Sequence, residues 1–211
     1  MVEKPQSVKI ALLGDSGVGK TCIINRYMSG QFTNNCASTI GGSYQQKIVK
    51  KRNKTLQLDI WDTAGQEKYR SLGKHFYKDA YIIILVYDIC VKESFENLRS
   101  VWYEDIKKQG EKYTVLAIVG NKSDLFENEE VKEDEARKFA DEIKATFMLV
   151  SAQNGDNIEN LFNSVVDIYL GPEFQIKANE MINEKQETAK GNTKLQTNKG
   201  EEKNEKNFSC C

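Results

Sequence analysis

Apolar runs alternate with helical periodicities along the first 170 residues. The run 8–13 has strand length and is stopped by Gly14. Between residues 21 and 29, Ile23, Ile24, Tyr27 and Met28 share one helical face, and Gly30 offers a stop. Leu56, Leu58 and Ile60 alternate with polar neighbours, as in a strand covered on one face. Residues 47–50 are expected to pair with it through a turn near Arg52 and Asn53. The runs 82–87 and 115–119 are uninterrupted and apolar, which predicts strands covered on both faces.

Helices separate these strands. Phe95, Leu98, Trp102 and Ile106 recur every three or four residues, as do Ala136, Phe139, Ala140 and Ile143. Residues 147–150 read as a last strand, and Ile158, Leu161, Phe162, Val165 and Tyr169 as a last helix. Such alternation predicts an α/β domain over residues 1–170. Its doubly wound, mostly parallel six-stranded sheet is flanked by helices, with one antiparallel edge strand from a hairpin. Ligands of such sheets bind beyond the carboxyl ends of the strands. From 171 to 211 seven lysines and seven glutamates are mixed among polar residues. That segment buries too little apolar surface to offset its ordering entropy and is expected to be a disordered tether.

Composition narrows the partners. The chain is 39% hydrophobic and 29% charged with net charge −1, so no basic field points to nucleic acid. The longest apolar stretch, 81–87, is far short of the roughly 20 residues a membrane span needs. Lys9 interrupts the first apolar run, so no signal peptide is expected and the cytosol is the expected compartment. Cys22, Cys36 and Cys90 lack metal-ligand spacing and read as free thiols.

The first predicted strand ends in Gly14-Asp15-Ser16-Gly17-Val18-Gly19-Lys20-Thr21, the P-loop pattern of P-loop NTPases. Its glycines let backbone N–H groups curl around phosphate, and the next helix adds its positive end. Lys20 supplies a point charge for β- and γ-phosphates, and the Thr21 hydroxyl suits Mg²⁺. Gly14, Ser16, Gly17, Val18, Gly19, Lys20, Thr21 and Cys22 are the candidate residues of this part. A second element, Trp61-Asp62-Thr63-Ala64-Gly65-Gln66-Glu67, follows another predicted strand. Asp62 is placed to hold Mg²⁺ through water, Gly65 to turn an N–H toward a γ-phosphate, and Gln66 to orient an attacking water.

The base is read elsewhere. After the strand 115–119 comes Asn121-Lys122-Ser123-Asp124. A carboxylate at Asp124 accepts from both the N1–H and the exocyclic amine of guanine, and adenine offers neither. Asn121 can hold the loops together, and the Ser151-Ala152 backbone can offer an N–H to the guanine O6. Lys122 and Gln153 complete the candidate set.

With these motifs in this order, residues 8–170 resemble the Ras superfamily of small GTPases, and its Rab branch most. The resemblance implies that Thr39 closes on Mg²⁺ and γ-phosphate and that Phe32 packs against guanine. It implies binding of GTP and GDP with Mg²⁺, and hydrolysis of GTP with Lys20 and Gln66 as catalytic residues. Cys210 and Cys211 resemble the double-cysteine prenylation signal of that branch. The implied partners are an exchange factor, a GTPase-activating protein, effectors on the switch segments, prenylation escort and GDP-dissociation inhibitor proteins, and a membrane reached through lipid. Tyr44, Trp61 and Tyr69 are candidates for the effector surface, although Trp61 equally suits packing against the sheet. Residues 38–41 lean toward an endosomal membrane. Two departures stand out: Gly42-Ser43-Tyr44 replaces the usual Val-Asp-Phe, and Gln153 replaces a lysine. Two alternatives are a nucleotide kinase, opposed by the base-reading residues and Gln66, and a scaffold that binds GTP without hydrolysing it, opposed by Gln66.

Overall fold

The computed structural model describes residues 4–32, 42–63, 77–108, 114–178 and 180. The chain divides into two units, Met1–Gly171 and Pro172–Cys211.

Six strands form one sheet in the first unit: β1 (Gln6–Leu13), β2 (Gly42–Lys51), β3 (Lys54–Thr63), β4 (Ile82–Asp88), β5 (Val115–Asn121) and β6 (Thr146–Leu149). Their order is β2-β3-β1-β4-β5-β6. Only β2 runs antiparallel, to β3, and the other neighbours are parallel. The expected six-stranded sheet with an antiparallel edge strand is therefore observed. Because β1 lies between β3 and β4, successive connections leave it in opposite directions across the sheet. The carboxyl end of β1 thus opens onto a crevice suited to a ligand.

The core follows the hydrophobic pattern. All seven residues of β4 are buried, as a strand covered on both faces requires. Each such Ile, Leu or Val stabilises the fold by roughly 1.5–3 kcal/mol. Leu56, Leu58 and Ile60 of β3 are buried on one face. The β2–β3 hairpin turns on two residues, Arg52 (φ 48°) and Asn53 (φ 61°), a double positive φ that matches the twist of paired strands. β2 begins at Gly42, earlier than the expected 47. As an edge strand exposed on one side, it needs no apolar run to declare its start.

α1 (Lys20–Ser29) follows β1, and α4 (Glu133–Glu142) and α5 (Ile158–Tyr169) flank β6 in sequence. The Tyr27 ring of α1 stacks on Phe162 of α5, with centroids 3.7 Å apart. The periodic stripe of Phe95, Leu98, Trp102 and Ile106 is buried as predicted. Its helix is not uniform: α2 (Lys92–Asn97) passes into a π-helical stretch, Leu98–Tyr103, and then into α3 (Glu104–Lys108). In the second unit residues 172–178 are helical, where a disordered tether was expected from 171 onward. Pro172, preorganised for a first helical turn, is the local reason.

Candidate functional site

The chain leaves β1 through Gly14, whose φ is 145°. A Cβ there would run into the Val86 carbonyl oxygen on β4, so only glycine lets the loop depart so close to the sheet. Gly19 caps α1 in the left-handed region, φ 96°, and a Cβ on it would meet the Asn121 amide nitrogen. A helix capped by glycine has no side chain over its first N–H groups, which leaves them for an anion. Lys20 is buried, and its Nζ donates to the carbonyls of Gly14 at 2.7 Å and Asp15 at 2.8 Å. Burial lowers its pKa to about 8, with nearby Asp62 and Asp15 opposing that shift. Val18 is buried, whereas Ser16 and Gly17 lie exposed.

Thr21, at the start of α1, and buried Asp62, near the end of β3, meet across the loop. The Thr21 Oγ1 donates to Asp62 Oδ2 at 2.7 Å. A hydroxyl beside a carboxylate is a pair of hard oxygen donors, the set Mg²⁺ takes, so these residues fit that ion.

The residues expected to read the base are fastened to the same loop. Asn121, at the end of β5, donates through Nδ2 to the Val18 carbonyl at 2.8 Å and accepts through Oδ1 from the Ala152 N–H at 3.2 Å. One buried side chain thus joins three loops. Lys122, in the left-handed region at φ 67°, pairs with the Asp88 carboxylate. Asp124 accepts from the Ser151 hydroxyl at 2.5 Å, and Ser151 in turn accepts the Asn154 N–H at 3.0 Å. Gln153 is exposed. Phe32 is half-buried, with its ring centroid 5.9 Å from the Arg26 guanidinium carbon.

Three polar residues at this rim have contacts that a motif search does not show. Asp15 accepts from Asn97 Nδ2 at 2.7 Å and from the Trp102 indole at 2.8 Å, tying the P-loop to α2 and the π-helical stretch. Asp88 ends an otherwise apolar strand, a position that could have flagged it. Arg26 reaches the carbonyls of Ala152 and Gln153. A cavity of about 440 Å³ beside the loop is lined by Asp15, Ser16, Gly17, Asp88, Ser94 and Lys122, among others.

The remaining expectations divide. Thr39, Gly65, Gln66, Tyr69, Cys36, Cys210 and Cys211 lie outside the described residues. Cys22 departs from the free-thiol reading: it is half-buried and disulfide-bonded, while Cys90 is free. Trp61 is half-buried on β3 opposite Tyr44 of β2, ring centroids 5.0 Å apart, and Lys9 Nζ sits 5.1 Å above its ring. Tyr44 is exposed and donates to Asp59 Oδ1 at 2.6 Å.

The family model described as the Ras family matches residues 9–170. The chain is 41% identical over 157 residues to Ras-related protein Rab-22A of Homo sapiens, covering 74% of this chain and 80% of that protein. It is 41% identical over 154 residues to Ras-related protein RABD2a of Arabidopsis thaliana, covering 73% and 75%. With GTP-binding protein YPT1 of Saccharomyces cerevisiae the identity is 36% over 203 residues, 96% of each chain.

Proposed function

Because this chain belongs to the Ras family and is a Rab-type small GTPase, we propose that the residues gathered at its sheet rim carry the family's nucleotide switch. The protein binds GTP and GDP and hydrolyses GTP to GDP and phosphate. The observation that carries the assignment of roles is Asn121, whose two amide atoms join the P-loop at Val18 to the loop at Ala152. A phosphate cradle and a base reader locked together in this way suit one nucleotide spanning both.

In this reading, the first-turn N–H groups of α1 and Lys20 hold the β- and γ-phosphates. Asp124 accepts from the guanine N1–H and 2-amine, the Ser151-Ala152 backbone faces O6, and Phe32 covers the ring. Thr21, Asp62 and Thr39 would hold Mg²⁺, the acid through water, and the bound ion would neutralise charge on the β- and γ-phosphates. Gln66 orients a water in line with the γ-phosphorus. The new P–O bond forms as the bond to the β–γ bridging oxygen breaks, the electron pair leaves with GDP, and the water's protons pass to phosphate and solvent. Lys20 meets the charge on the transferred group without rearrangement. After hydrolysis Thr39 and Gly65 lose their γ-phosphate contacts, and both segments release partners that read the GTP form.

Regulators and effectors act on such a chain. The partners we propose are an exchange factor, a GTPase-activating protein, prenylation escort and GDP-dissociation inhibitor proteins, and effectors that meet Tyr44 and Trp61. The exposed hydroxyl of Tyr44, held by Asp59, makes that surface more polar than a phenylalanine would. No helix of the described residues is long and apolar enough to cross a membrane. We assign attachment to lipids on Cys210 and Cys211, at the cytoplasmic face of an endomembrane, with an endosome as the compartment to examine first. Two chains anchor stably where one anchors marginally. Replacing both cysteines by serine should move the tagged protein from the membrane pellet to the supernatant, and retention in the pellet would remove the lipid from the account.

Phosphate release in single-turnover assays tests the catalytic assignment. Gln66→Leu is expected to slow hydrolysis on the order of tenfold to a hundredfold by leaving the water unoriented, with GTP affinity preserved. A rate equal to the parent's would strike Gln66 from the mechanism.

A further inference from the structure

Arg26 belongs to none of the motifs, yet it touches both walls that the proposed reading places around the base. It lies in the last turn of α1. Its Nε donates to the Ala152 carbonyl at 2.8 Å, and its Nη2 donates to the Gln153 carbonyl. On the other side Nη1 donates to the Gly30 carbonyl at 2.9 Å, and the guanidinium lies 5.9 Å from the Phe32 ring centroid. The α1 backbone is fixed at the same place, since the Gly30 N–H returns to the Arg26 carbonyl at 2.9 Å.

The consequence follows from peptide planarity. A carbonyl held in direction fixes the N–H of the next residue on the opposite edge of the same plane. Arg26 therefore orients two successive peptide planes, 152–153 and 153–154. From the far side the turn is held by Ser151, which accepts the Asn154 N–H on its hydroxyl and the Gly155 N–H on its carbonyl at 2.8 Å. The planar guanidinium presents donors in fixed directions, so the loop and the α1 end cannot shift independently without breaking this fork. A lysine ammonium has neither the plane nor the reach to serve three carbonyls at once.

We propose that Arg26 is a positioning residue for base recognition: it holds the peptide planes directly after Ala152, 152–153 and 153–154, against Phe32, so that the Ser151-Ala152 backbone and the Phe32 ring bear on the same guanine. The proposal rests on the reading of the 151–153 loop and Phe32 as base contacts. The bland role for the same residue is to close the end of α1, where a cation also meets the helix dipole favourably. That role affects every nucleotide alike, whereas positioning of an O6 reader concerns only a base that has O6.

The experiment uses that difference. GDP and 2-aminopurine riboside 5′-diphosphate, which lacks O6 and the N1–H, compete against a fluorescent GDP analogue on the full chain, its Arg26→Ala variant and its Arg26→Lys variant. Thermal unfolding is followed in parallel. The parent should strongly prefer GDP. Arg26→Ala should weaken GDP by about tenfold, the scale of a lost hydrogen bond or two, and should weaken the 2-aminopurine nucleotide several-fold less. Arg26→Lys, should the alanine variant fail to fold, keeps the charge and a single donor nitrogen and should fall between. Equal losses for both nucleotides, in either variant, would overturn the proposal and leave Arg26 as a helix-end contact. A parent that does not distinguish the two nucleotides would instead overturn the base-loop reading, and this proposal with it.

Discussion

A carboxylate chooses between purines by what it can accept. Asp124 stands half-buried at the edge of the site, and its contact with the buried Ser151 hydroxyl fixes the direction of one oxygen. Guanine brings two donors to such a group and adenine brings none, so a carboxylate left unmatched against adenine loses charge-assisted hydrogen bonds. Asp124→Asn exchanges one acceptor for a donor. GDP affinity is expected to fall about a hundredfold. Xanthosine diphosphate, which carries a carbonyl in place of the amine, should gain relative to GDP in competition binding. An unaltered ranking of the two would take Asp124 away from the base. This residue was visible in the sequence because its chemistry and its motif neighbours lie within four positions. Arg26 was not, since its partner Ala152 is 126 residues away and nothing local marks the pair.

Between elements, the least expected connection is the one from the P-loop to the helix over 92–108. The stripe of Phe95, Leu98, Trp102 and Ile106 announced a buried face, and that face is buried. What periodicity does not show is the π-helical stretch at Leu98–Tyr103, or that the Trp102 indole and the Asn97 amide both donate to Asp15. The Asp15 pairings span 82 and 87 residues of sequence, and a residue at a variable P-loop position gives no hint of them. π-helical turns recur where a helix must aim a side chain at a functional site. Trp102→Phe keeps the ring in the core and removes the N–H. It is expected to cost about 1–2 kcal/mol in urea unfolding, because a partly buried carboxylate loses one charge-assisted bond and keeps the other. Unfolding curves that superimpose would show that Asn97 alone suffices. Strand limits were legible where both faces are covered, as in β4, and less so at the edges. β2 starts five residues before its expected position and β6 one residue before. β2, an edge strand, carries few apolar residues, so its start leaves a weak mark.

At the scale of the whole first unit, one topological fact organises the site. With β1 between β3 and β4, the carboxyl ends of β1, β3, β5 and β6 lie on one rim, and each brings a different chemistry there. Gly14 and Gly19 permit the close approach, Thr21 meets Asp62, and Asn121 ties the P-loop to Ala152. The alternation of strands and helices could be anticipated from the apolar runs, and the motif residues from their spacing. The bracing by Asp15, Asp88 and Arg26 depends on side-chain contacts between distant segments, which no single stretch encodes. The claim beneath the whole account is that this rim distinguishes guanine from adenine while holding the phosphates of either. Competition of GDP and ADP against a fluorescent GDP analogue, with Mg²⁺ present, measures that claim directly. The account predicts GDP bound at least about 10⁴-fold more tightly than ADP, the discrimination of a site built to pair donors that one base lacks. Comparable affinities for the two, or no binding of either, would contradict it.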